Sequence, residues 1–394
     1  MIKFFKTISK ENIFYFCCIL LVIITTSSSV STSNFTPSFI DQEHYYNILI
    51  SSPEFPQDRV SAFQGHRFTF IYISGFVLKL LNLKNLWKEI FLILNVVNFV
   101  FLLVILNKII KKINIRNINN IKFIIFLSLI FNPYLFRSSI FAPLMINDYL
   151  FISGLALFIY GIQIKNSSYL IAGIIVCSVT RQTALIIVVA QILLIFLNFY
   201  LKKKNNYFLS FFTVLIIISI FLITSKISKN FSYESKYIIF ISGLFFSDYS
   251  LKDLLTALLR IFFANYLVFI FFLRVLLSKF KLHHTLNDYL FFALIISCGI
   301  WTQSILTGPY IAAGNEARWS VLALPTFLIF FLAYSGHYKI SLPEKIIFFI
   351  LFFLSSLHHQ YSIIDKINLS NLWVIFITMP IITYSFYFFL LKKS

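Results

Sequence analysis

Long apolar runs recur along this chain, separated by short polar breaks, and they constrain its fold more than anything else in the sequence. A helix needs roughly 20 apolar residues to cross a bilayer. In lipid every backbone N–H and C=O must be satisfied internally, so such runs become helices. The chain has 394 residues, of which 59% are hydrophobic and only 12% charged, with a mean hydropathy of +0.87. Soluble domains are about a quarter charged, so an ordinary soluble enzyme is excluded. The expected class is all-α: a polytopic membrane protein of about 12 transmembrane helices (11–13), with an interfacial helix in its first outer loop.

The formal charge of +19 would suggest nucleic acid in a soluble protein. Here the lysines sit at the ends of apolar runs, where they mark cytoplasmic loops, and no nucleic-acid partner is expected. Cys17, Cys18, Cys177 and Cys298 lie inside apolar stretches without a C-x-x-C pair, so neither a zinc site nor a disulfide framework is indicated.

The segment from His66 to Leu83 decides the topology. It is apolar enough to cross, but His66, Arg67, Lys79 and Lys84 lie at or near its ends. If it crosses, the basic stretch Lys108–Lys122 and the run Lys202-Lys203-Lys204 fall outside, against the positive-inside tendency. If it lies along the interface, both fall inside. The interfacial choice gives twelve spans, near 13–30, 88–107, 121–136, 148–164, 168–180, 183–201, 207–225, 254–278, 286–306, 319–336, 344–357 and 371–391, with both termini cytoplasmic. Cytoplasmic segments then carry 18 Lys and Arg against 3 acids, and the other side 13 against 11. One integral membrane domain covers 1–394, with a first non-cytoplasmic loop at 31–87, containing interfacial helices, and the remaining spans at 88–391. A multi-pass protein of a bacterial inner (plasma) membrane is the expected setting.

In this frame charged residues from separate segments gather on the non-cytoplasmic face. Asp41, in Asp41-Gln42-Glu43-His44-Tyr45-Tyr46, reads either as a general base at the membrane surface or as the cap of a short interfacial helix. Arg67, after His66, offers a fork of donors suited to phosphate, or snorkels to headgroups. Asp148 opens the fourth span and Arg181 sits in the joint Thr180-Arg181-Gln182-Thr183. Lone charges between apolar runs point to a function or to an intramembrane ion pair. Glu316-Ala317-Arg318-Trp319 is a surface pair with an interface aromatic, or a phosphate-binding arginine. His283-His284 and His358-His359 lack an adjoining acidic ligand set and read as structural. No residue is assigned to a metal.

These features, taken in order, resemble the GT-C superfamily of polytopic glycosyltransferases. The likeness is carried by the first-loop acid Asp41 with Tyr45, the basic His66-Arg67 leading an amphipathic segment, Asn147-Asp148, the Arg181 joint, and Glu316-Ala317-Arg318-Trp319 with Pro325. It covers the whole chain loosely and the first 190 residues best. The resemblance implies inverting transfer of a sugar from a polyprenyl-phosphate donor to a glycan, lipid or protein acceptor on the non-cytoplasmic face. It assigns catalysis to Asp41 and substrate binding to Tyr45, His66, Arg67, Asp148, Arg181, Glu316 and Arg318. Some members use a divalent metal and others none; Asp41 with Asp148 could share one, without a dedicated oxygen cage.

The chain departs from better-known members in having no long soluble domain after the spans and no Asp-Glu pair in the first loop. Two rivals stand beside this reading. A lipid-linked polysaccharide polymerase or ligase would be expected to carry a larger late outer loop than Thr307–Arg318. A flippase or transporter would be expected to show repeated halves and charges near mid-membrane.

Overall fold

The computed structural model describes residues 10–27, 37–56, 60–113, 118–200, 207–231, scattered residues between 250 and 269, 288–306, 316–335 and 340–356. Among these, the chain is all-helical. Its helices are α1 (Lys10–Ser27), α2 (Pro37–Ser51), α3 (Phe68–Leu80), α4 (Trp87–Lys112), α5 (Ile118–Ile130), α6 (Ile146–Gln163) and α7 (Ser167–Thr180). They continue as α8 (Leu185–Tyr200), α9 (Tyr207–Ser228), α10 (Asp288–Leu306), α11 (Glu316–Val321), α12 (Leu324–Ser335) and α13 (Leu342–Ser356), with short turns of helix between some of them. Five described helical segments are long and apolar enough to cross a membrane: Lys84–Lys112, Lys122–Phe141, Pro143–Gln163, Gln182–Tyr200 and Ser210–Ser228. Helices also stand at most of the other expected spans, several of them shorter, and the expected span at 371–391 lies outside the described residues.

Apolar on every side, α6 is the central helix and is buried along nearly its whole length. It packs against α7 through glycines. A Cβ on Gly173 would meet the backbone N of Phe158 at 2.5 Å, and one on Gly161 the backbone N of Leu170 at 2.5 Å. Small residues let backbones approach where no hydrophobic driving force holds helices together in lipid. The joint between these helices is equally tight. Lys165 takes a φ of 56°, the Asn166 N–H donates back to the Gly161 carbonyl, and Asn166 Oδ1 then caps α7 by accepting from Ser168 and Tyr169. By contrast, α9 turns Phe211, Leu215, Leu222 and Ile223 outward, as a lipid-facing helix does.

Two expected spans break, each at a proline. The third ends at Ile130; Asn132 caps a five-residue turn by accepting from the Tyr134 N–H, and Pro133, lacking an N–H, begins that turn. The tenth divides into α11 and α12, with Pro325 in the first turn of α12. At α13 a reciprocal cap forms: the Ser341 N–H donates to Glu344 Oε2 at 2.6 Å and the Glu344 N–H to Ser341 Oγ at 3.5 Å.

The two ends of the bundle differ in chemistry. At one, Lys122 pairs with Glu11 at 3.1 Å, Lys345 lies over Phe123, Lys108 lies over Tyr160, and Gln163 donates to the Ile109 carbonyl. At the other, Arg137 donates to Thr25, Asn95 donates to the carbonyls of Ser139 and Pro143, and Asp148 meets Arg181 and Arg318. These contacts make α4 and α6 run parallel, so Trp87, like Arg67, lies at the arginine end. The segment 66–87 therefore leaves and returns to the same end. Its helix, α3, has 13 residues, about 20 Å at 1.5 Å per residue, short of a bilayer core. Asn82, at φ 56°, reverses the chain after it, with the Leu83 N–H donating to the Leu78 carbonyl. Lys84 Nζ donates to the carbonyls of Ile50 and Ser52, and Tyr46 packs on Trp87. Gly75 lets α2 and α3 touch: a Cβ there would collide with the Leu49 carbonyl oxygen. Together α2 and α3 form a layer over one end of the bundle.

Candidate functional site

Asp148 lies in the first turn of α6, where the helix dipole favours a carboxylate. Its Oδ1 accepts from Arg181 Nη1, and its Oδ2 accepts from Arg318 Nε at 2.9 Å and Nη2 at 2.8 Å. All three residues are buried. Arg181 reaches the site because the chain turns to extended backbone directly after α7, and Arg318 because α11 begins two residues before it.

Arg67 joins from the start of α3. Its Nε donates to Gln182 Oε1 at 3.1 Å, and its backbone carbonyl accepts from Asn147 Nδ2 at 3.0 Å. A closed ring results, running from Asn147 to Arg67, to Gln182, to its neighbour Arg181, to Asp148 and back to Asn147. Charge-assisted bonds of this kind are the strong ones, and a ring built from three separated segments holds each head against rotation.

Tyr45, on α2, is 1% exposed and close enough to Arg181 to couple with it electrostatically. Among the described residues its hydroxyl has no hydrogen-bond partner, and neither has Arg181 Nε. Two buried donors thus stand at the site without a described acceptor, which is costly unless a ligand or water fills the place. Burial, with Arg67 next, lowers Arg181 to about 10, which leaves it charged at neutral pH. His66 is buried, stacked on Phe221, and held at about 4 by burial and by Arg67. At neutral pH it is an uncharged ring.

The structure therefore brings together Tyr45, His66, Arg67, Asp148, Arg181 and Arg318. Asp41 lies within α2 one turn before Tyr45, inside the helix rather than at its cap; its side chain, and that of Glu316 on α11, lie outside the described residues. His283-His284 and His358-His359 also lie outside them. Comparison with protein-family models, curated proteins and solved structures returned no match.

Three polar residues that hold the site together were given no role from the sequence. Asn147 and Gln182 each adjoin a charged residue already named, and paired polar residues between apolar runs were the available signal. Asn95, with Asn98 in the same apolar run, is fully buried and spans two carbonyls; an amide in such a run needs an internal partner.

A metal shared by Asp41 and Asp148 would have to compete with guanidiniums for Asp148, both of whose oxygens accept from arginine. Among the described residues no three His, Cys, Asp or Glu side chains gather.

Proposed function

We propose that this chain is an inverting glycosyltransferase of the GT-C type, moving a sugar from a polyprenyl-phosphate donor to an acceptor on the non-cytoplasmic face of a bacterial inner membrane. The observation that supports it most is the meeting of Arg67, Arg181 and Arg318 at one end of a bundle of apolar helices. Such an arrangement suits a lipid whose phosphate sits at headgroup level and whose tail stays in the bilayer. Arginine forks match phosphate oxygens, and a low-dielectric site strengthens their hold.

In this reading the twelve-span frame applies, with both termini cytoplasmic and the layer of α2 and α3 resting among headgroups. Asp41 takes the proton from an acceptor hydroxyl or amine as that atom attacks C1 of the sugar. The bond between C1 and the phosphate oxygen breaks with inversion, and polyprenyl phosphate leaves with the electron pair. The arginines stabilise the charge that develops on it. Tyr45 and Arg181 Nε are placed to donate to a phosphate oxygen, with neutral His66 alongside. Glu316 binds substrate beside Arg318.

The test supplies the reconstituted full chain with polyprenyl phosphate carrying a radiolabelled sugar, in membranes that contain acceptors. Loss of label from the lipid, abolished by Asp41→Asn at unchanged expression, is the expected result. Label that stays on intact lipid moving between leaflets would instead mark a flippase.

A further inference from the structure

Asp148 poses a problem for an anion site, because a carboxylate at its centre repels a phosphate. Its hydrogen bonds resolve it. Each oxygen accepts from an arginine, Oδ1 from Arg181 and Oδ2 from two nitrogens of Arg318, so the carboxylate charge is directed at guanidiniums. Three guanidiniums from segments far apart in sequence repel one another, and bringing them together before any ligand arrives requires a buried counter-charge. The neighbouring Asn147, fully buried and uncharged, fixes Arg67 by a different contact. It fixes the backbone carbonyl at the turn from which the Arg67 side chain leaves, and Gln182 then receives that side chain. Both anchors project from the start of α6, the most enclosed of the described membrane-length helices.

We propose that Asn147 and Asp148 are a positioning pair, which sets three arginines in a shape matched to a phosphate monoester or diester without touching it. The inference rests on the phosphate reading above. It reassigns Asp148 from substrate contact to arginine alignment, and it adds Asn147 and Gln182 to the working parts of the site.

The experiment compares binding of polyprenyl phosphate with binding of phosphate-free polyprenol to the full chain in nanodiscs. Wild-type protein is expected to prefer the phosphate form. Asn147→Ala, which removes one hydrogen bond and no charge, is expected to weaken the phosphate form by about tenfold, near the value of one well-placed hydrogen bond, and to leave polyprenol unchanged. Asp148→Asn is expected to weaken it further, with Asp148→Glu recovering part of the loss; should Asp148→Asn fail to assemble, Asn147→Ala still decides. Wild-type preference retained in both Asn147→Ala and Asp148→Asn overturns the positioning pair and leaves the phosphate reading standing. Equal loss of both lipids reduces the pair to a structural role and overturns it too. A wild-type chain that binds the two lipids equally removes the phosphate reading, and the pair's role with it.

Discussion

Arg67 and Gln182, 115 residues apart in sequence, are joined by a hydrogen bond of 3.1 Å from Nε to Oε1. That bond closes the ring in which the side chains of Asn147 and Asp148 hold Arg67 and Arg181, and Asp148 also holds Arg318 from beside the ring. Everything proposed about the site depends on those arginines being presented as rigid forks rather than as mobile charges.

Arg318→Lys tests the fork directly. Lysine keeps the charge but loses the two-nitrogen grip on Asp148 Oδ2, and a point charge cannot restore it. Thermal unfolding of the purified chain is expected to show a loss on the order of 1.5–3 kcal/mol, the range for hydrogen bonds to charged groups. Unchanged stability would mean that charge alone, without geometry, holds the cluster.

Gly173→Ala tests the seam that carries Asp148 and Arg181. The added methyl would stand 2.5 Å from the Phe158 backbone nitrogen and 2.7 Å from the Gly154 carbonyl oxygen. Backbone atoms cannot step aside as a flexible side chain can, so α6 and α7 must separate. A loss of roughly 1–3 kcal/mol is expected from overpacking of this kind, read as a lower unfolding midpoint. A midpoint equal to wild type would place the helices farther apart than described.

His66 gives a pH dependence whose sign follows from its burial. Folded, it titrates at about 4; unfolded, near 6.5. Above 6.5 both states are neutral and stability is complete. As pH falls from 6.5 toward 4 the unfolded state gains a proton that the folded state refuses, so stability drops, by about 3 kcal/mol at most. Unfolding midpoints at pH 7.5 and pH 5 are expected to differ more for wild type than for His66→Phe, which keeps a ring against Phe221. Identical pH profiles for the two proteins would show that His66 is not buried as a neutral ring.

The helices and the site were legible to different degrees, for physical reasons. Runs such as 148–164 and 168–180 could be placed within two residues of α6 and α7, because lipid-length apolar runs admit one backbone solution. The charged members of the site could be named because an isolated Asp148 or Arg181 between such runs is costly and needs a partner. What pairs with what was hidden: that Arg181 and Arg318 share one carboxylate depends on how α7 and α11 pack against the start of α6, which no single run records. The helix α2 was harder still. Its polar sequence, with Pro37 at its start and Pro53 just beyond its end, reads as loop, and it is held by close contact with α3 at Gly75 and by the Leu144 N–H donating to Gln42 Oε1.

The same-end return of segment 66–87 predicts accessibility. In a background lacking the native cysteines, Ser61→Cys and Lys112→Cys are expected to react with a membrane-impermeant thiol reagent from opposite sides of sealed vesicles. Reaction of both from one side would mean that α3 crosses.

Where the lipid phosphate binds is the most direct test of the whole reading. A polyprenyl phosphate analogue with a photoreactive diazirine beside its phosphate would be crosslinked to the reconstituted chain and the adduct mapped by mass spectrometry. Adducts in α2, in the 62–68 turn, or near Arg181 and Arg318, displaced by unlabelled polyprenyl phosphate but not by polyprenol, are the expected result. Adducts at the opposite end of the bundle, around Lys108, Lys165 or Lys345, or adducts that polyprenol displaces equally well, would contradict it.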